Sequence, residues 1–176
     1  MNQNPSAAAD QQRLNAMMAI ATLQRRVKNG ANNFYWIAAL SIINSFVYIF
    51  GGGITFVVGL GLTQIVDGLA SGVASGAPGA ATLIRAIGIV INVGIAAVIA
   101  FFGFMAGKNH RWAFVVGMLL YGLDTVLTLV FKDYLGFLFH VFFLFLLYGG
   151  LTALGKLRKV IPQTISDPGF PKDLGT

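Results

Sequence analysis

The sequence contains no cysteine, and only 10% of its 176 residues are charged. Without a thiol, the chain can form no disulfide, use no cysteine nucleophile, and hold no zinc or iron–sulfur cluster through thiolates. Soluble domains carry about 25% charged residues, so the shortage of charge argues against a soluble protein. No catalytic motif is recognisable, and we interpret the chain as non-enzymatic.

Hydrophobic residues make up 56% of the chain, and the mean hydropathy is +0.76. They cluster in several long runs, which predicts an all-α integral membrane protein that crosses the bilayer more than once. The first thirty residues contain no compact apolar region followed by a cleavage site. We therefore expect the first span to act as an uncleaved signal anchor.

Four of the apolar runs have the length that a helix needs to cross a hydrocarbon core of roughly 30 Å. They are residues 34–50, 83–107, 112–131 and 134–154. Together they predict a four-helix transmembrane bundle, which forms a membrane domain over residues 34–155.

A fifth apolar run, residues 54–69, is short for a crossing. Its leucines, isoleucines and valines fall on one side, with Thr63 and Asp67 on the other. This pattern predicts an interfacial or re-entrant helix after the first span. The Gly-, Ala- and Ser-rich residues 68–80 that follow are predicted to form a soft loop.

Polar segments flank the predicted membrane domain. Residues 1–33 contain a basic amphipathic helix over 13–28, which Asn29–Gly30 is expected to end. Residues 156–176 form the predicted cytoplasmic C-terminal segment. After its basic start, residues 161–176 contain three prolines and show no periodicity, so an extended or disordered tail is predicted there.

The basic residues decide the orientation. With the N-terminus in the cytoplasm, four spans place ten of the twelve Lys and Arg residues inside, and only Arg85 and Lys132 outside. The positive-inside rule then predicts that both termini are cytoplasmic, and we expect a bacterial cytoplasmic (inner) membrane. Because basic flanks of membrane helices account for the net charge of +6, no nucleic-acid partner is expected.

One face of the second span carries small residues at helical spacing. Such a face lets a neighbouring helix approach closely, within one bundle or in a dimer. The predicted packing residues are Gly88, Ala96, Ala100, Gly103 and Gly107.

Each predicted span also carries a strongly polar residue at a similar depth, as counted from the outer side at about 1.5 Å per residue. A charged side chain in hydrocarbon needs partners, so these residues should face one another in one layer. Two interpretations stay open: hydrogen bonding that fixes helix register, or a proton relay, ion site or small-ligand site. The predicted layer comprises Asn44, Arg85, Asn92, Tyr121, Asp124 and His140.

His140 lies in a phenylalanine-rich span and allows one cofactor hypothesis. A neutral imidazole is a suitable ligand for the metal of a chlorophyll or a haem, although a hydrogen-bonded core histidine is the alternative. No protein metal site is predicted, and lipids are the other expected bound component.

Three functions follow from these features. The first is a non-enzymatic accessory or structural subunit of a larger integral membrane complex, such as a bioenergetic one. The second is a small oligomeric transporter or channel that uses the polar layer. The third is a tetrapyrrole-binding subunit. The expected partners are the lipid bilayer and either other membrane subunits or further copies of the chain.

Overall fold

The computed structural model describes residues 5–49 and 59–165, and it contains helices and no strand over these ranges. Five α-helices follow in order: α1 Pro5–Ile49, α2 Gly61–Gly76, α3 Ala81–Gly107, α4 Arg111–Val130 and α5 Tyr134–Ile165. A 3-10 turn, Pro78–Ala80, joins α2 to α3. The part of α5 up to Ile161, all of α4, and α3 with its preceding turn are each long and apolar enough to cross a membrane, which indicates a membrane protein.

Helix α1 runs without a break through Asn29 and Gly30, so the prediction that the helix ends there is wrong. A glycine inside a helix costs roughly 1 kcal/mol relative to alanine. Here the backbones of α1 and α5 touch, and a Cβ atom on Gly150 would lie 2.8 Å from the Cα of Gly30. Close packing of the two helices offsets the cost of the glycine.

A side chain at position 30 should separate these helices. We expect Gly30→Val to destabilise the protein by about 1–3 kcal/mol, because it overpacks a close contact. Gly149→Val is the matched control, since no atom lies within 4 Å of a Cβ atom built there. Thermal unfolding in detergent, followed by circular dichroism, compares the two variants. Equal melting temperatures would contradict the contact.

Helix α2 begins at Gly61 and continues to Gly76, so the predicted loop over 68–80 is wrong for residues 68–76. Residues 54–58 of the predicted short helix lie outside the described residues. The small side chains do not break α2 because they let it lie close to α3: a Cβ atom on Gly88 would meet the Cβ of Ala70 at 3.0 Å. The hydroxyl of Ser75 donates to the carbonyl of Ser71 in the same helix.

Helix α5 passes through the basic residues and ends at Ile165, so the predicted extended tail is wrong over residues 161–165. Residues 166–176 lie outside the described part. The extension is held by packing, since Leu154 and Leu157 join one buried cluster with Ile20 and Val27 of α1. In addition, Arg158 donates to the carbonyl of Asn109 in the α3–α4 connection at 2.9 Å.

Phe34 lies where three helices meet and is fully buried. Its ring contacts Gly117 of α4, where a Cβ atom would lie 2.6 Å from Cζ, and its Cβ faces Gly103 of α3. Of the predicted packing residues, Gly88, Ala96 and Gly103 are buried, Ala100 is half-buried and Gly107 is exposed. This face therefore packs against α1 and α2.

Candidate functional site: a polar layer under helix α2

The buried polar side chains of the described residues gather at one end of the packed helices. We call this group the polar layer. It lies toward the C-terminal ends of α1 and α4 and the N-terminal parts of α3 and α5, and α2 covers it. Its members are Ser41, Asn44, Ser45, Thr63, Asp67, Asn92, Asp124, Thr125, Thr128 and His140.

The carboxylate of Asp124 binds the N-terminus of α2. Its Oδ2 accepts a hydrogen bond from the amide of Gly61, and its Oδ1 accepts one from the amide of Leu62, both at 2.8 Å. The first amides of a helix have no partner within the helix, and their partial positive charge favours an anion. Leu60, at the N-cap position, supplies no side-chain cap. Asp124 therefore caps α2 from a different helix.

His140 is the side chain that pairs with Asp124. Its Nδ1 lies 2.7 Å from the carbonyl oxygen of Gly136, which can only accept, so Nδ1 carries a hydrogen. Its Nε2 lies 2.9 Å from Oδ2 of Asp124, so one further proton is shared between these two atoms. Whichever residue holds that proton, the pair has no net charge, which lowers the cost of burying it.

The start of α5 fixes the position of His140. The amide of Gly136 donates to Oδ1 of Asp133 at 2.9 Å, so Asp133 caps the helix. The carboxylate of Asp133 also fills the space that a side chain at position 136 would need. Tyr121 of α4 stacks on the imidazole of His140, with ring centroids 4.8 Å apart and planes 13° from parallel.

Asn92 forms a second group in the layer. Its Nδ2 donates to Oδ1 of Asp67 at 2.7 Å and to Oγ of Ser45 at 2.8 Å. It also lies 3.4 Å from the carbonyl of Thr63. Three helices, α1, α2 and α3, are thus joined through one amide group.

Asp67 is the one charged residue of the polar layer that the sequence did not predict to belong to it. The sequence places it on the polar side of its helix, but the structure turns that side toward the protein and leaves Asp67 only 3% exposed. The apolar side faces outward instead, with Leu69 and Val73 exposed. The available signal was a carboxylate on an otherwise apolar helix.

The structure brings Tyr121, Asp124 and His140 together, while Asn92 pairs with Asp67 rather than with Asp124. Asn44 is buried beside Gly59. Arg85 is exposed and forms no ion pair among the described residues. Of the predicted layer residues, His140 is the one that hydrogen-bonds to Asp124, and Arg85 does not approach it.

The surroundings of His140 do not fit a tetrapyrrole. Both ring nitrogens are already hydrogen-bonded, one ring face is covered by Tyr121, and the residue is 1% exposed. A metal ligand needs a free nitrogen lone pair and open space beside it. Among the described residues, no group of three or more His, Asp or Glu side chains could hold a metal ion either.

We accordingly expect the purified protein to be colourless. A visible absorption spectrum of protein extracted in mild detergent tests this directly. An absorption band that disappears on His140→Phe substitution would contradict the arrangement described above.

An apolar cleft of about 340 Å³ opens beside the layer, between α2, α3 and α4. Leucine, isoleucine and valine side chains line it, and Asp124 is its one polar lining residue. Asp124 is already hydrogen-bonded to Gly61, Leu62 and His140. The cleft is therefore suited to a hydrocarbon chain, such as that of a lipid, rather than to a polar ligand.

The polar layer is therefore a set of hydrogen-bonded groups that hold α2 in place. Comparison with protein families, with curated proteins and with solved structures finds no match for this chain.

Proposed function

We propose that this chain is a non-enzymatic structural or accessory subunit of a larger integral membrane complex. It crosses the membrane four times with both termini in the cytoplasm, and α2 is a re-entrant helix on the outer side. The observation that carries this proposal is a helical pair, formed by α1 and α5, that is much longer than a membrane is thick.

The second half of α1 supplies the fourth crossing. Its inner face packs against α3 and α5 through residues such as Phe34 and Ile37, which are buried. Its outer face carries Trp36, Ile43 and Phe46, which are exposed and suited to lipid. A helix with apolar residues both inside and outside the packed core is typical of a membrane span.

Charge supports the orientation. Exposed basic residues surround the end of the helices that lies opposite the polar layer, where α3 meets α4 and where α5 leaves its apolar part. Lys and Arg concentrate on the cytoplasmic side of membrane proteins, so this end is assigned to the cytoplasm. These residues are Arg25, Arg26, Lys28, Lys108, Arg111, Lys156, Arg158 and Lys159.

The helical pair continues past this basic region as a stalk, which we define as residues 10–28 of α1 and 156–161 of α5. The 45 residues of α1 span about 68 Å at 1.5 Å per residue, more than twice a hydrocarbon core of roughly 30 Å. The stalk therefore extends into the cytoplasm, where apolar side chains are stabilised by packing against another protein.

The stalk exposes such side chains. Leu14, Met17 and Met18 are between one third and about one half exposed, and their spacing puts them on one helix face. They lie ten to fourteen residues from Lys28, roughly 15–21 Å along the helix. Helices that bind a membrane surface sink only about 5–10 Å into it, so lipid does not reach this face. A helix of another subunit is the partner that fits.

The polar layer supports a structural role over transport. Asp124 and His140 are hydrogen-bonded to each other, and Asp124 caps α2. The core on the cytoplasmic side of the layer is formed by apolar residues such as Phe34, Phe114 and Leu147. No described polar chain leads from the layer through that core. The described residues of one copy therefore offer no route for an ion.

Native purification tests the proposal. In mild detergent, the 18.8 kDa chain should elute with other subunits, and Leu14→Gln/Met17→Gln/Met18→Gln should release them while the chain remains folded. Gln12→Ala/Thr22→Ala, at exposed polar positions of the same helix, is the control and should retain the partners. A folded monomer without co-purifying chains would refute the proposal, and a species containing only this chain would identify the partner as a second copy.

A further inference from the structure

Two buried oxygen atoms in the polar layer have no hydrogen-bond partner among the described residues: Oδ2 of Asp67 and Oδ1 of Asn92. They belong to side chains that already share one hydrogen bond, from Nδ2 of Asn92 to Oδ1 of Asp67. Both side chains are at least 97% buried. A buried oxygen without a donor costs free energy, so this pair requires something that satisfies both atoms.

A metal ion does not meet this requirement. Ca²⁺ and Mg²⁺ take six or more oxygen ligands, whereas only two oxygens are unoccupied here. The nearby oxygens of Ser45 and Thr63 face the Nδ2 amide of Asn92, which is a hydrogen-bond donor.

Within residues 5–49 and 59–165, no charged side chain meets it either. On α3, Arg85 is exposed. On α4 and α5, Asp124 and His140 are paired with each other at the N-terminus of α2, about 9 Å of helix away from Asp67. The contacts that α1 makes here come from Ser45, which is neutral.

We propose that Asp67 and Asn92 form a buried proton-binding site, in which Asp67 is a carboxylic acid whose Oδ2–H donates to Oδ1 of Asn92. With the existing bond from Nδ2 to Oδ1, this closes a ring of two hydrogen bonds between an acid and an amide. One proton then satisfies both unpaired oxygens, and no net charge is buried. The site goes beyond the proposed subunit function, because it makes the packing of α2 against α3 depend on proton binding.

The electrostatics agree with this assignment. Burial raises the pKa of the Asp67 carboxyl above its ordinary value, and the neighbouring polar side chains of Ser45 and Asn92 oppose that rise less strongly. The folded chain then binds the proton more tightly than the unfolded chain does. The stabilising contribution is complete below the ordinary carboxyl pKa and is lost as the pH rises through the raised value.

Infrared spectroscopy of the purified chain in detergent tests the site. We expect a carbonyl stretch from a protonated carboxyl group at neutral pH. Its amplitude should fall in Asp67→Asn by the absorbance of one carboxylic acid per chain. It should stay unchanged in the control Asp10→Asn, because the side chain of Asp10 is exposed. The melting temperature of the wild type should fall from acidic to alkaline pH, and that of Asp67→Asn should fall less.

An Asp67→Asn variant that keeps the full amplitude, or a wild type without the band, would overturn the proposal, since Asp67 would then be ionised and hydrated. If Asp67→Asn does not fold, Asn92→Ala replaces it. Loss of the Nδ2 donor to Oδ1 of Asp67 should shift the carbonyl band to higher frequency, and an unshifted band would likewise overturn the proposal.

Discussion

Replacing Asp124 by alanine is expected to cost about 3–5 kcal/mol, because removing one partner of a buried pair leaves the other uncompensated. The amides of Gly61 and Leu62 lose their acceptor at the same time, and each buried unpaired group adds about 1–3 kcal/mol. These values approach the whole stability of a typical domain, roughly 5–15 kcal/mol. The measurable result is loss of folded protein after extraction, or a large fall in melting temperature.

Asp133→Ala is the matched control for this prediction. Asp133 also caps a helix, but it is less buried and holds only the start of α5, so its loss should cost about 0.5–2 kcal/mol. His140→Ala added to Asp124→Ala should cost little more than Asp124→Ala alone, because the two residues act as a pair. A stable, folded Asp124→Ala protein would show that the carboxylate has a role other than holding α2.

Phe34→Ala is expected to have the second largest effect, about 3–5 kcal/mol, because it opens a cavity where α1, α3 and α4 meet. Phe34 is fully buried and touches Gly103, Phe114 and Gly117. Trp36→Ala is the control, since that larger side chain is two residues away on the same helix and 62% exposed. Melting temperatures of the two variants in the same detergent give the comparison.

The contact between Phe34 and Gly117 can be tested further by a double substitution. Gly117→Val should destabilise the wild type, because a side chain there collides with the phenylalanine ring. In the Phe34→Ala background, the same substitution fills part of the cavity and should restore some stability. Additive effects of the two substitutions would contradict direct contact.

The long apolar helices were predictable because a membrane allows only segments that satisfy their own backbone hydrogen bonds. The sequence predicted α3 and α4 to within two residues at each end. It also placed Asp124 and His140 in one layer, and the two side chains are hydrogen-bonded to each other in the structure. These features depend on helix periodicity and on the cost of buried charge, both of which can be read along a single helix.

The features that were missed depend on contacts between helices distant in sequence. Gly30 and Asn29 have the composition of a helix end, and only Gly150 of α5 explains why α1 continues. In the same way, Asp67 lies on a polar face typical of a helix at a water surface, and the direction of that face is set by Asn92. Sequence periodicity divides a helix into faces, but it does not state what each face meets.

The cap on α2 also bears on the order in which the helices are inserted and packed. Asp124 follows Gly61 by 63 residues, so α2 leaves the ribosome long before the carboxylate that binds its first amides. Until α4 and α5 are inserted, those amides can be satisfied by water and not by hydrocarbon. We therefore expect helix α2 to stay at the membrane surface at first and to reach its final position only after α4 and α5 are in place.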